Sequence, residues 1–336
     1  MNHPVKNKGL LDKIFAARQE DFNNISIEVF RFQYEHNKVY RQYCDTLKTA
    51  PAGVEEISQI PFLPISFFKT HTIKTMEFDA EAIFESSGTT QTINSKHFIK
   101  ELSVYKESFL KAFDLFYGDP GNLCIIGLLP SYLERKNSSL VLMVDELIKR
   151  SHHPQSGFYL DDFDKLSKTL LQLEGRQQPT LLIGVTFALL DFAEKFPMHL
   201  KHTLIMETGG MKGRKKEITR LQVHEILSNA FNSYHIHSEY GMTELLSQAY
   251  SKANGLFNCP PWMKVLIREE DDPLTIYTAQ PGKTISGAIN VIDLANIYSC
   301  SFIATEDAGK LYPHENFEVL GRLDNTDIRG CSLLAL

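Results

Sequence analysis

Residues 84–91 (FESSGTTQ) of this 336-residue sequence have the composition of a phosphate-binding loop. Hydroxyl side chains surround a single glycine directly after a short apolar run. Because glycine lets the backbone turn tightly, and because amide and hydroxyl groups donate to anions, such a loop can wrap the oxygens of a triphosphate. The residues concerned are Ser86, Ser87, Gly88, Thr89 and Thr90. The Gly-Lys-Ser/Thr ending of a Walker A loop is missing, and an ordinary surface turn is the alternative.

Residues 233–244 (SYHIHSEYGMTE) form a second candidate segment, which the pattern predicts to be a strand ending in a polar loop. Tyr240 followed by Gly241 offers a flat aromatic face beside a gap in the backbone, which suits a nucleobase. Thr243 can donate to a phosphate. Glu244 is a hard carboxylate suited to Mg²⁺, and a solvated surface carboxylate is the alternative.

Composition and charge restrict the class of protein. An apolar content of 43% and a charged content of 23% are typical of soluble globular proteins. The net charge of −6 argues against a general nucleic-acid binder, and we expect no nucleic-acid partner. The apolar runs are too short to span a bilayer, and the first residues do not resemble a signal peptide. Five scattered cysteines without a CxxC pair predict neither a zinc site nor a disulfide framework. We therefore expect a cytoplasmic protein with reduced thiols.

The elements that must position these segments alternate along the chain. Residues 9–45 show helical spacing, and from about residue 80 short apolar runs alternate with amphipathic stretches. This pattern predicts an α/β fold with a mostly parallel sheet. The predicted buried, parallel strands are 82–84, 123–129, 180–183, 203–206 and 233–236, and the predicted helices are 102–116, 139–150, 160–173, 187–196 and 215–231. After residue 245, the runs 265–267, 274–277, 287–292 and 301–303 predict antiparallel strands.

Two further segments complete a recognisable set, namely residues 305–307 (TED) and 321–330 (GRLDNTDIRG). In this order, the four segments resemble the motifs of the acyl-adenylate-forming superfamily, which contains acyl-CoA synthetases, adenylation domains and luciferases. The phosphate loop is matched except at Gln91, where the superfamily usually has glycine. Its Tyr-Gly-x-Thr-Glu motif is matched at 240–244. Its Thr-Gly-Asp motif is matched at 305–307, with Glu306 in place of glycine. Its Gly-Arg-x-Asp hinge motif is matched at 321–324.

The resemblance implies a role for each matched residue. Residues 86–90 would hold the β- and γ-phosphates of ATP, Tyr240 and Gly241 would face adenine, and Thr243 would touch the α-phosphate. Glu244 would bind Mg²⁺, so that ATP and Mg²⁺ are the expected cofactors. Asp307 and Arg322 would hold the ribose hydroxyls. An acyl pocket is expected near residues 207–211 (ETGGM), with an ordinary strand-to-helix turn as the alternative.

Within the superfamily, the sequence is most similar to the acyl-protein synthetases, the LuxE-like subunit of the bacterial bioluminescence fatty-acid reductase. Residues 60–69 (IPFLPISFFK) and 327–334 (DIRGCSLL) carry this likeness. In that family an acyl group moves from the adenylate to a cysteine near the C-terminus, and Cys331 matches that cysteine. An inert packed cysteine is the alternative. The other four cysteines, Cys44, Cys124, Cys259 and Cys300, are interpreted as core residues.

We expect three parts: a helical segment 1–75 packed on the core, the large N-terminal-type α/β domain of adenylate-forming enzymes at 76–325, and a tail 326–336 carrying Cys331. The superfamily's mobile C-terminal domain is expected to be absent. The expected activity is ATP-dependent activation of a carboxylic acid, a fatty acid by resemblance, and acyl transfer to a protein cysteine, with an acyl-CoA-reductase-like partner. Two alternatives stay open: an acyl-CoA or aryl-CoA ligase of the phenylacetate–CoA ligase type, and a non-catalytic nucleotide-binding subunit.

Overall fold

The computed structural model describes residues 4–86, 93–130, 137–160, 162–209 and 218–323. Three helices begin the chain, as the apolar spacing predicts: α1 (Pro4–Phe15), α2 (Phe22–His36) and α3 (Lys38–Thr46). Helix α2 buries one face, which includes Phe22, Val29 and Phe30. Asn37 caps the N-terminus of α3, since its side-chain oxygen accepts a hydrogen bond from the Tyr40 amide at 3.0 Å.

Helices and strands alternate through the middle of the chain. The other helices are α4 (Phe67–Thr70), α5 (Leu102–Tyr117), α6 (Ser139–Ser151), α7 (Phe163–Gly175), α8 (Thr186–Lys195) and α9 (Arg220–Phe231). The first eight strands are β1 (Leu63–Pro64), β2 (Ala82–Glu85), β3 (Lys96–Ile99), β4 (Cys124–Leu128), β5 (Gly157–Phe158), β6 (Thr180–Val185), β7 (Thr203–Thr208) and β8 (Ile236–Tyr240). The remaining strands are β9 (Ala249–Ser251), β10 (Leu256–Asn258), β11 (Met263–Arg268), β12 (Ile276–Tyr277), β13 (Ile285–Asp293), β14 (Phe302–Leu311) and β15 (Phe317–Arg322).

Within the described ranges, thirteen strands form one sheet with the order β12-β11-β13-β14-β15-β10-β9-β8-β7-β6-β4-β5, and β1 pairs with β14. Strands β5, β4, β6, β7 and β8 are mutually parallel, and α6 to α9 connect them. Every residue of β4 and β6 is buried, which explains why these strands are continuous apolar runs in the sequence. The strands after residue 245 pair antiparallel with their neighbours, apart from the short parallel contact of β1. The predicted α/β fold is confirmed.

The pairing predicted for residues 82–84 is wrong. Strand β2 pairs antiparallel with β3 in a separate two-stranded sheet, with Ala82 opposite Ile99 and Glu85 opposite Lys96. Since a parallel partner needs a crossover of a dozen or more residues, the short segment between these strands favours a hairpin. The strand predicted at 233–236 begins only at Ile236 and runs to Tyr240, because Asn232 ends α9 in the left-handed conformation and Tyr234 is exposed.

The carboxyl ends of the parallel strands bring the candidate segments to one edge of the sheet. Strand β7 ends at Thr208 and β8 ends at Tyr240. The two ends lie side by side, because Thr208 is paired with Glu239, the residue before Tyr240. Ligands of open α/β sheets bind at such carboxyl ends. In the described part of the chain, no helix has both the length and the apolar character that crossing a bilayer would require.

Candidate active site

Three of the four sequence motifs meet around Asp307. The Tyr240 hydroxyl, at the end of β8, donates a hydrogen bond to Asp307 Oδ2 at 2.8 Å. Asp307 lies directly opposite Arg322 in the β14–β15 ladder, and Arg322 Nε is 3.9 Å from Asp307 Oδ1. Asp307 is largely buried, whereas the Arg322 side chain is 76% exposed. The arrangement therefore presents a carboxylate between a phenol and a solvent-facing guanidinium, which suits vicinal hydroxyls.

Burial controls the protonation of this trio. It raises the pKa of Asp307, while the Tyr240 hydrogen bond and the charge of Arg322 oppose the rise. Burial and the neighbouring Asp307 raise the pKa of Tyr240 well above its usual range, so Tyr240 stays a hydrogen-bond donor. The Tyr240 ring packs against Phe257 and Phe317, with centroids 5.9 and 5.6 Å away, which fixes the direction of its hydroxyl.

Glu244 is buried rather than solvated, with 5% of its surface exposed. Burial raises the pKa of its carboxyl, and the nearby Ser95 hydroxyl and the charges of Arg322 and Lys69 oppose the rise. Within the described ranges, no group of three or more acidic, histidine or cysteine side chains could form a metal site by itself. Mg²⁺ is usually held by one or two carboxylates together with substrate phosphates and water, and Glu244 fits that pattern.

The backbone around Glu244 is held from three directions. His97 Nδ1 donates to the Thr243 carbonyl at 2.8 Å, and Asn296 Nδ2 donates to the Glu244 carbonyl at 2.6 Å. The buried Asp293 carboxylate accepts from the amides of Leu246 and Ser247 at 2.7 and 3.0 Å. Burial raises the pKa of Asp293, and these donors oppose the rise. The loop that carries Thr243 and Glu244 is therefore a fixed part of the fold.

Sequence reasoning missed these three supporting residues. Asp293 directly follows the predicted strand 287–292 and Asn296 comes shortly after it, so polar residues at a strand end were the available signal. His97 gave no signal, because a histidine on a short strand is usually a packed residue. Burial lowers the pKa of His97 to about 4, so the ring is neutral near pH 7.

Only the edge of the predicted phosphate loop lies in the described ranges. The Ser86 amide donates to the Ser95 carbonyl at 3.1 Å, and the Ser95 amide donates to Ser86 Oγ at 2.9 Å. These bonds close the β2–β3 hairpin beside Glu244. Lys96 lies 3.9 Å from Glu85 across the hairpin and is more than half exposed. Outside the described residues lie Ser87, Gly88, Thr89, Thr90 and Gln91.

The segment predicted to line an acyl pocket contains a buried ion pair. Glu207 Oε1 lies 3.0 Å from Arg220 Nε and 3.6 Å from His224 Nε2. Burial would raise the pKa of Glu207, but His224 and Arg220 outweigh it and hold the pKa below its usual value. Thr208 donates to Glu239 on the neighbouring strand. Gly210 and Met211 are outside the described residues, so the acyl pocket stays a prediction.

Cys331 also lies outside the described residues. Of the other cysteines, Cys44, Cys124 and Cys300 are buried and Cys259 is partly buried. Burial raises the pKa of each of these thiols, in Cys44 to about 12. Since the thiolate is the nucleophile, none of these four is suited to accept an acyl group.

Comparison with known proteins decides the family. The family model described as acyl-protein synthetase, LuxE, matches residues 13–335. The chain belongs to the LuxE family. It is 24% identical to the long-chain-fatty-acid–luciferin-component ligase of Aliivibrio fischeri, over 95% of this chain and 89% of that protein. The ligase of the same name from Vibrio harveyi is 23% identical, over 90% of this chain and 84% of that protein. The predicted family and the prediction of a ligase are confirmed.

Solved structures share the fold of this LuxE-family chain. ATP-bound MatB from Rhodopseudomonas palustris superposes with a TM-score of 0.54 at 16% identity, covering 74% of this chain and 49% of MatB. A 2-hydroxyisobutyryl-CoA ligase in the postadenylation state gives a TM-score of 0.56 at 11% identity, covering 96% of this chain and 69% of that ligase. The chain thus spans about half the length of MatB. The predicted fold of adenylate-forming enzymes is confirmed.

Proposed function

We propose that this chain activates a carboxylic acid with ATP, forming an acyl-adenylate, and passes the acyl group to the thiol of Cys331. The observation that carries the proposal is the meeting of Tyr240, Asp307 and Arg322, which come from separate motifs and lie up to 82 residues apart in the sequence. The names of the relatives support a long-chain fatty acid as the substrate. The ATP-bound state of MatB supports ATP as the co-substrate.

The nucleotide roles follow from the chemistry of each side chain. Tyr240 and Gly241 would lie against adenine, and Asp307 with Arg322 would bind the two ribose hydroxyls. Thr243 would donate to the α-phosphate, and the hydroxyls and amides of residues 86–90 would donate to the β- and γ-phosphates. Glu244 would hold Mg²⁺, which neutralises phosphate charge when it is bound.

Two displacement steps then complete the reaction. In the first, a carboxylate oxygen of the acid attacks the α-phosphorus of ATP, the bond from that phosphorus to the bridging oxygen breaks, and pyrophosphate leaves. In the second, the Cys331 thiolate attacks the acyl carbonyl and AMP leaves, which forms a thioester. Positioning and charge neutralisation can carry the first step, so no covalent protein nucleophile is needed there. An acyl-CoA-reductase-like protein would be the partner that consumes the thioester.

Acid-dependent exchange of labelled pyrophosphate into ATP tests the proposal. A panel of carboxylic acids should include at least one that supports exchange by the wild-type protein. Glu244→Gln should lower this exchange at least about tenfold, since a loss of about 1.4 kcal/mol of transition-state stabilisation is enough. Glu225→Gln, which alters an exposed carboxylate on α9, is the matched control and should leave exchange unchanged.

The outcomes separate the alternatives. Nucleotide binding without exchange for any acid would favour a non-catalytic nucleotide-binding subunit. Exchange that is insensitive to Glu244→Gln would remove Glu244 from the metal role. Rapid formation of acyl-CoA and AMP when CoA is added to the assay would favour a CoA ligase.

A further inference from the structure

His97 connects the strand that follows the Ser/Thr-rich segment to the Tyr-Gly-Met-Thr-Glu segment, although the two lie far apart in the sequence. The ring is 1% exposed, and Phe68 and Phe84 pack edge-on against it with centroids 5.8 and 6.4 Å away. Because a carbonyl oxygen can only accept, the 2.8 Å contact from Nδ1 to the Thr243 carbonyl assigns the ring hydrogen to Nδ1. The Thr243 carbonyl thus determines which nitrogen of His97 is the donor. The rings of Phe68 and Phe84 determine the orientation of the imidazole.

Asn296 holds the next carbonyl from another side. It is fully buried just after β13, and its Nδ2 donates to the Glu244 carbonyl at 2.6 Å. Its own backbone is fixed in turn, because the side-chain Nε2 of Gln33, on α2, donates to the Asn296 carbonyl at 3.0 Å. Two successive carbonyls of one loop are therefore bound by side chains from β3 and from the segment after β13.

This geometry bears on Glu244 in particular. The Thr243 carbonyl belongs to the peptide unit before Glu244 and the Glu244 carbonyl to the unit after it, and each unit is planar. Holding both carbonyls therefore fixes the backbone on both sides of the Glu244 Cα, and with it the direction of the Cα–Cβ bond. A buried hydrogen bond that loses one partner leaves the other partner unsatisfied, which favours rearrangement of the loop.

We infer that His97 and Asn296 are positioning residues that set the orientation of the Glu244 carboxylate, and thereby the affinity of the site for Mg²⁺ in the presence of ATP. The inference rests on the proposed role of Glu244 as the magnesium ligand. It gives the β2–β3 hairpin a second task beyond phosphate binding, because the hairpin that flanks the Ser/Thr-rich segment also anchors the metal carboxylate.

Three substitutions test the inference. His97→Leu removes the Nδ1 donor and puts an apolar side chain of similar size among the phenyl rings. His97→Asn places an amide donor near the position of Nδ1 and serves as the conservative variant. Asn296→Leu removes the second donor. Leu147→Ala, on helix α6 against β4, is a control for general loss of stability.

The readout is the Mg²⁺ concentration that gives half-maximal pyrophosphate exchange at saturating ATP and acid. The same Mg²⁺ dependence is measured for ATP binding by calorimetry, which needs no acid and no turnover. We expect His97→Leu and Asn296→Leu each to raise the half-saturating Mg²⁺ concentration at least about fivefold, as the loss of one buried hydrogen bond implies. His97→Asn should stay within about twofold of the wild type, and Leu147→Ala should leave the value unchanged even if its activity falls.

An unchanged Mg²⁺ dependence in folded His97→Leu and Asn296→Leu would overturn the inference. So would an effect of His97→Asn as large as that of His97→Leu, since the donor would then not be the relevant feature. If His97→Leu fails to fold by circular dichroism, Asn296→Leu still decides the matter, because it removes the donor to the Glu244 carbonyl independently. Absence of exchange by the wild type with every acid would count against the proposed function alone, because calorimetry would still report on the Mg²⁺ dependence.

Discussion

At the scale of single residues, the neighbours of Gly241 leave little room for a side chain there. A Cβ at this position would collide with the Glu239 carboxylate and would lie 3.3 Å from Gln248 Cγ. Glu239 is itself buried and accepts a hydrogen bond from Thr208 on the next strand. The sequence motif marks Gly241, but the reason for it depends on a carboxyl group that only the folded sheet brings alongside.

The buried Glu239 should make stability depend on pH. Burial, and to a smaller degree the charge of Glu207, raise the pKa of Glu239 from an ordinary 4.5 to about 7. Between these values the folded protein binds more protons at this site than the unfolded chain, so the wild type loses stability as pH rises from 5 to 8. Glu239→Gln stays neutral and avoids this loss. Its stability relative to the wild type should improve by up to about 3 kcal/mol over that range, measured by urea unfolding.

Glu225→Gln is the control for the pH experiment, because this carboxylate is exposed on α9. Its pH dependence should match that of the wild type. If the pH dependence of stability in Glu239→Gln also matched that of the wild type, folding would not raise the pKa of Glu239. The carboxyl that accepts from Thr208 would then be ionised near pH 7, contrary to the prediction.

At the scale of secondary structure, the sequence predicts the parallel half of the sheet well. Strands buried on both faces are continuous apolar runs, and β4, β6 and β7 therefore lie where the pattern indicates. Strands of two or three residues are too short to show any period, and β1, β5, β9 and β10 were missed for that reason. The prediction that β2 is a parallel strand is wrong, because an apolar run does not show which strand is the partner or in which direction that partner runs.

A glycine in the antiparallel half offers a test of packing between elements. Gly309 lies in β14, two residues beyond Asp307, and a Cβ there would lie 2.5 Å from the Glu318 carbonyl and 2.6 Å from Ile289 Cδ1. The Glu318 carbonyl is part of the β15 backbone and cannot move away without disturbing the strand pairing. Gly309→Ala should therefore lower the free energy of unfolding by about 1–3 kcal/mol. The measurement is urea unfolding at pH 7.

Gly157→Ala is the matched control for Gly309→Ala. A Cβ at Gly157, in β5, would have no neighbour within 4 Å, and its backbone does not need a positive φ. This substitution should change stability by less than about 0.5 kcal/mol. Equal effects of the two alanines would mean that the β14–β15 ladder relaxes around an added methyl group.

At the scale of the whole molecule, the site is divided between the two halves of the sheet. Tyr240 ends the last parallel strand, whereas Asp307 and Arg322 belong to the antiparallel half. The N-terminal helices hold that half as well, because Asn37 Nδ2 donates to the Ser299 carbonyl at 2.9 Å. The resemblance predicted which motifs act together, but the contacts that join them cross between elements far apart in the chain, so the supporting residues could not be read from any one segment.

The position of Cys331 leads to a prediction about the whole reaction. This thiol directly follows Gly330, close behind the hinge motif at 321–324, and the other four cysteines have raised thiol pKa values. Protein incubated with ATP, Mg²⁺ and the right acid should therefore gain the mass of one acyl group. Neutral hydroxylamine should remove that mass, because it cleaves a thioester but not an amide. Intact-protein mass spectrometry measures both steps.

Cys331→Ser separates acyl transfer from adenylation. It should abolish labelling and leave pyrophosphate exchange nearly intact, because adenylation comes first and does not use the thiol. Cutting the chain after Gly330 should have the same effect, whereas Cys259→Ser should label like the wild type. Labelling that persists in Cys331→Ser would place the acceptor elsewhere, and exchange that collapses with it would make Cys331 structural. If added CoA took the acyl group efficiently without a protein-bound intermediate, the chain would be a CoA ligase rather than an acyl-protein synthetase in mechanism.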